Sequence, residues 1–333
     1  MIRHRRSVCA LAVALALAAG CGTPDAGSEP PAAVASTSST APARAGASEP
    51  TGSVTPSSTA PLAAPREAPV TAMPDAPLTT AEACAHPGSG FDCDLRGRFA
   101  EVQRYLAGRP GTVGVVVRDR ATGAVWRNEH AGELTWTAST IKLGMVVDLL
   151  HRQRAGKIVL TPVDRALMTA MLHSSDDDAA TTLWLRYSGV DHLTFNAAFP
   201  QYGLTSLRPQ PGYGRIFPYW GFQKCTPDDL DRLINHVLDR VPAEDRAFIL
   251  DQMRAVAPNQ QWGVWGAGPG GRPGNKDGWS EEDGGWVMNS VGFVGPGERY
   301  TLAIMNNLRG QGGYDEGKAT TTEVARILFA GRF

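Results

Sequence analysis

Between Trp136 and Leu150 the chain reads WTASTIKLGMVVDLL, and one residue in it is out of place. Lys142, Met145, Val146 and Leu149 stand at i, i+3, i+4 and i+7, the spacing of one face of an α-helix. A lysine on an apolar face is costly unless something uses its amine. One turn earlier, at the expected start of the same helix, stands Ser139. A buried lysine has a lowered pKa, because desolvation disfavours its charge, and when neutral it can accept a serine proton. The helix N-terminus favours negative charge developing beside that serine. The stretch therefore predicts a buried helix carrying a nucleophile and its base.

On either side the pattern predicts an α+β fold. TVGVVVRD (Thr112–Asp119) and AVWRNEH form a hairpin across RATG. TPVDRALMTAML opens on Thr161 as N-cap with Pro162 behind it, TPDDLDRLINHVLDR repeats the signal at Thr226, and a further helix spans about Asp177 to Tyr187. KDGW, GGWVMNSVGFVG and RYTLAIMNNL return to strand, and a last helix runs from about Glu316 to Phe329. Strands lie at both ends and helices fill the middle, so both ends are expected to share one antiparallel sheet, flanked by helices, with a mainly helical middle subdomain.

The N-terminal quarter reads differently. Arg3, His4, Arg5 and Arg6 precede a short apolar run that ends LAAGC at Cys21, too short to span a bilayer. Residues 1–20 resemble a bacterial lipoprotein signal peptide, with Ala18 where leucine is usual; the resemblance implies lipidation at Cys21, export, and anchoring to the outer face of the cell membrane. Residues 21–80 are rich in Ala, Pro, Ser and Thr and too poor in large apolar residues to offset the entropy of ordering, so they read as a disordered tether. Residues 81–333 are the folded domain. Export makes a disulfide between Cys84 and Cys93 the expected use of that pair, and leaves Cys225 as an unreactive thiol.

A net charge of −1 over 333 residues gives no footing for nucleic acid. No Cys/His spacing calls for a metal and no cofactor is expected. GAGPGG (Gly266–Gly271) matches a dinucleotide fingerprint in letters alone, because Pro269 interrupts it and no helix follows. His173 and Asp176 lack the G-x-S-x-G elbow of a hydrolase triad.

Three short motifs follow one another: Ser139 with Lys142 three residues on; Ser175-Asp176-Asp177 between two helices; and Lys276-Asp277-Gly278 opening a strand. With SDDDAATTLW (Ser175–Trp184), NKDGW (Asn275–Trp279), QQWGV before the strand and VMNSVGFVG after it, the chain from about Leu95 onward resembles the class A β-lactamase family of serine hydrolases. The resemblance implies Ser139 as the acylated nucleophile, Lys142 as its base and Ser175 as proton relay to the leaving group. It implies Asp177, Lys276, Gly278 and Trp279 as substrate-binding residues. Lys276 would hold a substrate carboxylate and help depress Lys142, and the N–H groups of Ser139 and Trp279 would form an oxyanion hole.

Two departures qualify that picture. Asp177 stands where the family has asparagine, and a carboxylate accepts where an amide can donate; it also favours the charged form of Lys142. The stretch Gly203–Lys224, where the family places a water-activating glutamate, contains no Asp or Glu. The expectation is a monomeric, lipid-anchored serine hydrolase that acylates and releases slowly, acting on a β-lactam, a D-amino-acid cell-wall peptide or a small ester. The alternative is a non-catalytic lipoprotein that binds envelope peptide or glycan on a degenerate hydrolase fold.

Overall fold

The computed structural model describes residues 90–212, 216–282 and 284–333. The chain divides after Ala72 into two units, and every described residue belongs to the second. The signal peptide, the tether, Cys21 and Cys84 lie outside the described residues.

The domain is built on a five-stranded antiparallel sheet in the order β2-β1-β8-β7-β6. β1 (Thr112–Asp119) and β2 (Val125–Arg127) come from the first part of the domain, and β6 (Gly274–Glu282), β7 (Gly285–Val294) and β8 (Tyr300–Asn307) from the last. β1 and β8 join the two ends in register from Thr112 opposite Asn307 to Asp119 opposite Tyr300. The α+β expectation, with both ends in one sheet, holds. β6 forms one edge.

The sheet is covered on both faces, which is why β1 is apolar almost throughout. Val113, Val115 and Val117 pack with α1 (Cys93–Leu106) and the C-terminal helix, while Val116 joins the core of the helical region. That region holds α2 (Ile141–Arg154), α3 (Pro162–His173), α4 (Asp177–Tyr187), the short α5 (Thr194–Ala198), α6 (Pro227–Arg240) and α7 (Ala243–Arg254); α8 (Tyr314–Phe329) closes the domain. A second sheet joins β3 (Thr135–Trp136), β5 (Gln223–Cys225) and β4 (Arg208–Pro209).

Both Thr-Pro starts are closed capping boxes. Thr161 Oγ1 accepts from the Asp164 N–H at 3.2 Å while Asp164 accepts from the Thr161 N–H at 2.9 Å, and Thr226 and Asp229 repeat the exchange. Such caps contribute about 1 kcal/mol each.

α2 departs from the one-face expectation. Every residue from Ile141 to Leu150 is buried, so the helix runs through the middle of the helical region. Phe199 and Leu204 close over its remaining side at Gly144, where an added Cβ would meet the Leu204 methyl at 3.2 Å. Its one acid, Asp148, accepts from the Tyr202 hydroxyl at 2.9 Å and pairs with Arg152 at 2.7 Å; burial still pushes its carboxyl up. Cys93 is disulfide-bonded, and Cys225 is a buried free thiol that burial raises well above the usual range.

Candidate active site

Ser139 sits in a 3₁₀ turn, Ala138–Thr140, that leads into α2. The turn is fixed from the sheet. On β7, Asn289 stands opposite Gly278 of β6. Its amide donates to the Trp136 carbonyl at 2.7 Å and to the Thr137 carbonyl at 3.3 Å. Gly278 leaves the space that this approach needs. A Cβ there would lie 2.7 Å from the backbone nitrogens of both Ser139 and Thr140. Ala138 has φ 44° and Ser175 has φ 61°. Non-glycine residues in that region cost on the order of 1–3 kcal/mol and persist where the surroundings over-determine them, as they do at Ala138, next to Ser139, and at Ser175.

The two lysines are both buried and differently engaged. Lys142 is fully enclosed; its ammonium donates to the Ser175 carbonyl at 2.7 Å and to Asp177 Oδ1 at 2.5 Å, and lies 4.5 Å from the centre of the Trp220 ring. Burial lowers its pKa, and the Asp177 carboxylate pulls it back part of the way. Lys276 donates to Ser175 Oγ at 2.9 Å and to the Asp277 carbonyl at 2.6 Å. Burial, reinforced by the Lys142 cation, pushes it down to about 7. Asp277 points into the interior with both carboxyl oxygens enclosed; burial pushes it up to about 8, against the opposing pull of the neighbouring Ser290 and Asn275 side chains. Buried groups this close titrate as a set, and both are driven toward their uncharged forms.

A cavity of about 290 Å³ opens in front of Ser139. Asp177, Asp178 and Thr181 form one wall from α4, and Trp279, Ser280 and Glu282 another from β6. Tyr219, Trp220, Gly221 and Phe222 close it from the stretch where the sequence has no acid. Thr181 Oγ1 lies 2.7 Å from the Tyr219 hydroxyl and accepts from the Trp220 indole N–H at 3.1 Å, which fixes this aromatic wall to α4.

The structure thus brings Ser139, Asp177 and Trp279 to the cavity and sets Gly278 against the Ser139 backbone. Lys142 and Ser175 stand behind the wall. Lys276 differs from its expected placement: it is 1% exposed, is not part of the lining, and spends its ammonium on Ser175 and a carbonyl instead of facing a ligand. Among the described residues the Ser139 hydroxyl makes no hydrogen bond to Lys142. Sequence reasoning had not singled out Asp178, Thr181, Ser280 or Glu282. Thr181 carried a signal, being four residues beyond Asp177 and so on its helical face. No group of three or more His, Cys, Asp or Glu among the described residues is placed to hold a metal ion.

No family model matches the chain. A mycobacterial protein named as a candidate lipoprotein, LppW, does: the Mycobacterium tuberculosis H37Rv and Mycobacterium bovis proteins are each 31% identical over 259 residues, covering 74% of this chain and 78% of theirs. The chain belongs to the LppW family. Solved structures add the fold of that family's member described here, which is that of class A β-lactamases. A β-lactamase from Streptosporangium roseum matches with a TM-score of 0.58 at 19% identity, over 70% of this chain and 97% of the other. A β-lactamase from Xanthomonas campestris gives 0.57 at 20%, over 70% and 96%. A variant of the reconstructed Gram-negative ancestor of class A gives 0.56 at 22%, over the same shares. At these identities the likeness establishes the architecture of this LppW relative and leaves its chemistry to its own residues.

Proposed function

We propose that the chain is an exported, lipid-anchored serine hydrolase that works by acyl transfer through Ser139 and releases its acyl group slowly. The observation that carries this reading is the position of Ser139: on the cavity wall, at the start of a buried helix, with the β6 backbone pressed against its own. In this reading the Ser139 oxygen attacks an ester or amide carbonyl. The Oγ–carbonyl bond forms, and the proton passes to Lys142 in its neutral form. As the bond to the leaving group breaks, that proton returns through Ser175, which Lys276 orients. Backbone N–H groups of Ser139 and Trp279 face the developing oxyanion. Slow release is supported by the absence of any Asp or Glu in 203–224. The Cys21 signal, and the name carried by the LppW relatives, support export and anchoring.

One observation favours the alternative of a ligand-binding protein without chemistry. Asp177 holds Lys142 in an ion pair at 2.5 Å, which opposes its use as a base. A neutral activated ester separates the two readings. The full chain mixed with 4-nitrophenyl acetate should release one equivalent of nitrophenol in a burst, then turn over slowly. Intact mass measurement should find one acetyl group, absent from Ser139→Ala. A chain that stays unmodified would leave the binding reading in place.

A further inference from the structure

Lys142 is fully buried, and its neighbours bear on its proton from three elements. Asp176 and Asp177 act from the start of α4, Asp177 through a hydrogen bond at 2.5 Å, and the Ser175 carbonyl before them accepts at 2.7 Å. Lys276, on β6, stands beyond Ser175 and close enough for the two cations to repel. The third contact carries no charge. Trp220 presents the face of its ring, with the Lys142 nitrogen 4.5 Å from the ring centre. An aromatic face is negative, so it favours the ammonium over the amine, and more strongly where water is excluded. Trp220 is itself 6% exposed, so this contact is largely desolvated.

The ring is held where it is. Its indole N–H donates to Thr181 Oγ1 at 3.1 Å, and that oxygen lies 2.7 Å from the Tyr219 hydroxyl. The chain on either side is pinned as well. The Pro218 carbonyl accepts from the Trp184 indole at 3.2 Å, and the Tyr219 carbonyl accepts from the Gln223 amide at 3.0 Å. Trp184 and Gln223 are both fully buried, so the segment that carries Trp220 is fastened to α4 and to the start of β5. A ring that lines the cavity therefore also rests on the ammonium behind it.

We propose that Trp220 is a positioning residue for the Lys142 proton, holding it on the amine through the face of its ring, and that Thr181 acts with it by fixing the indole. Neither touches the reacting atoms. The effect on rate rests on the acyl-transfer reading, in which the pair sets the pH at which Ser139 gains its base; the effect on the proton rests on the contact alone. Deleting the ring would also admit water, so the test keeps its shape and weakens its face. The full chain, with five lysines and eight tryptophans, is prepared with 13C-labelled lysine and either tryptophan or 5,7-difluorotryptophan. Lys142 is followed by its NMR titration, its signal assigned by its loss in Lys142→Met. Fluorination should lower the midpoint by about half a pH unit. In Trp220→Leu, where the ring is gone, fluorination should move nothing. In Thr181→Val the response to fluorination should fall by about half, because the indole loses its anchor. A midpoint that ignores fluorination, or that moves as far in Trp220→Leu, would overturn the role of Trp220; an undiminished response in Thr181→Val would overturn that of Thr181. The pH–rate profile for Ser139 acylation by 4-nitrophenyl acetate should move with the titration. If Ser139 is never acylated, the acyl-transfer reading fails and the titration alone still decides the proposal.

Discussion

The helical wall and the sheet wall of the site each bury one lysine, and they treat it in opposite ways. On the helical side Lys142 meets a carboxylate and an aromatic face, both of which favour its charge. On the sheet side Lys276 meets a hydroxyl and a carbonyl, and the acid next to it in sequence, Asp277, is itself driven toward the neutral form. Burial acts on both alike, so the difference comes from the partners. The two lysines share a type, a depth and a serine, yet only one is paired with an ion. Residue type and burial do not assign a proton; the atoms within hydrogen-bonding distance do.

The comparison can be broken most decisively by removing each amine. Lys142→Met should slow Ser139 acylation by 4-nitrophenyl acetate about 10³-fold and Lys276→Met about 10²-fold, the range of general acid–base contributions. A larger loss at Lys276 would make the sheet wall the source of the base. Gly278→Ala tests the contact between the walls, because its Cβ would fall 2.7 Å from two backbone nitrogens. Denaturant unfolding should show a loss of about 3 kcal/mol, and acylation should fall with it.

Asp277→Asn sharpens the sheet side through pH. A carboxyl raised from 3.8 to about 8 binds its proton more tightly folded than unfolded. That stabilisation is complete below pH 4 and is lost as pH rises through 8. The variant lacks this term, so its stability relative to the parent should improve across pH 4 to 8, by about 2 kcal/mol, the order of the desolvation cost of an enclosed polar group. Thermal melts at several pH values would show it, and a difference that stays flat with pH would mean that Asp277 does not titrate in this window. The smallest effect belongs to Asp177→Asn. Removing the carboxylate that holds the Lys142 proton lowers the lysine further. The pH–rate profile for acylation should shift to lower pH, and the rate near neutrality should rise about tenfold, one unit of pKa.

Much of this was legible in the residues themselves. Valine-rich strands at both ends gave the shared sheet, and Thr161-Pro162 and Thr226-Pro227 gave two helix starts, because capping is a local matter of three or four residues. Ser139 and Lys142 stood out because a lysine broke an apolar spacing. The burial of α2 on every side was not legible, since Phe199 and Leu204 arrive from a segment with little periodicity of its own. Nor was the fate of Lys276: the serine that takes its ammonium lies 101 residues earlier. Asp178 reads as an ordinary first-turn acid, which it also is, and only the structure shows that it lines the cavity.

The pairing of β1 with β8 has a consequence in time as well as in space. A chain made from its N-terminus presents its serine helix early and its lysine strand late, and contacts of such long sequence separation form slowly because the loop between them must first close. Until β6 docks, Ser139 has neither Gly278 against its backbone nor Lys276 behind Ser175. On the acyl-transfer reading, a half-made or misfolded chain would carry Ser139 in unreactive form, and labelling of Ser139 would serve as a report that the last third of the chain has reached its place.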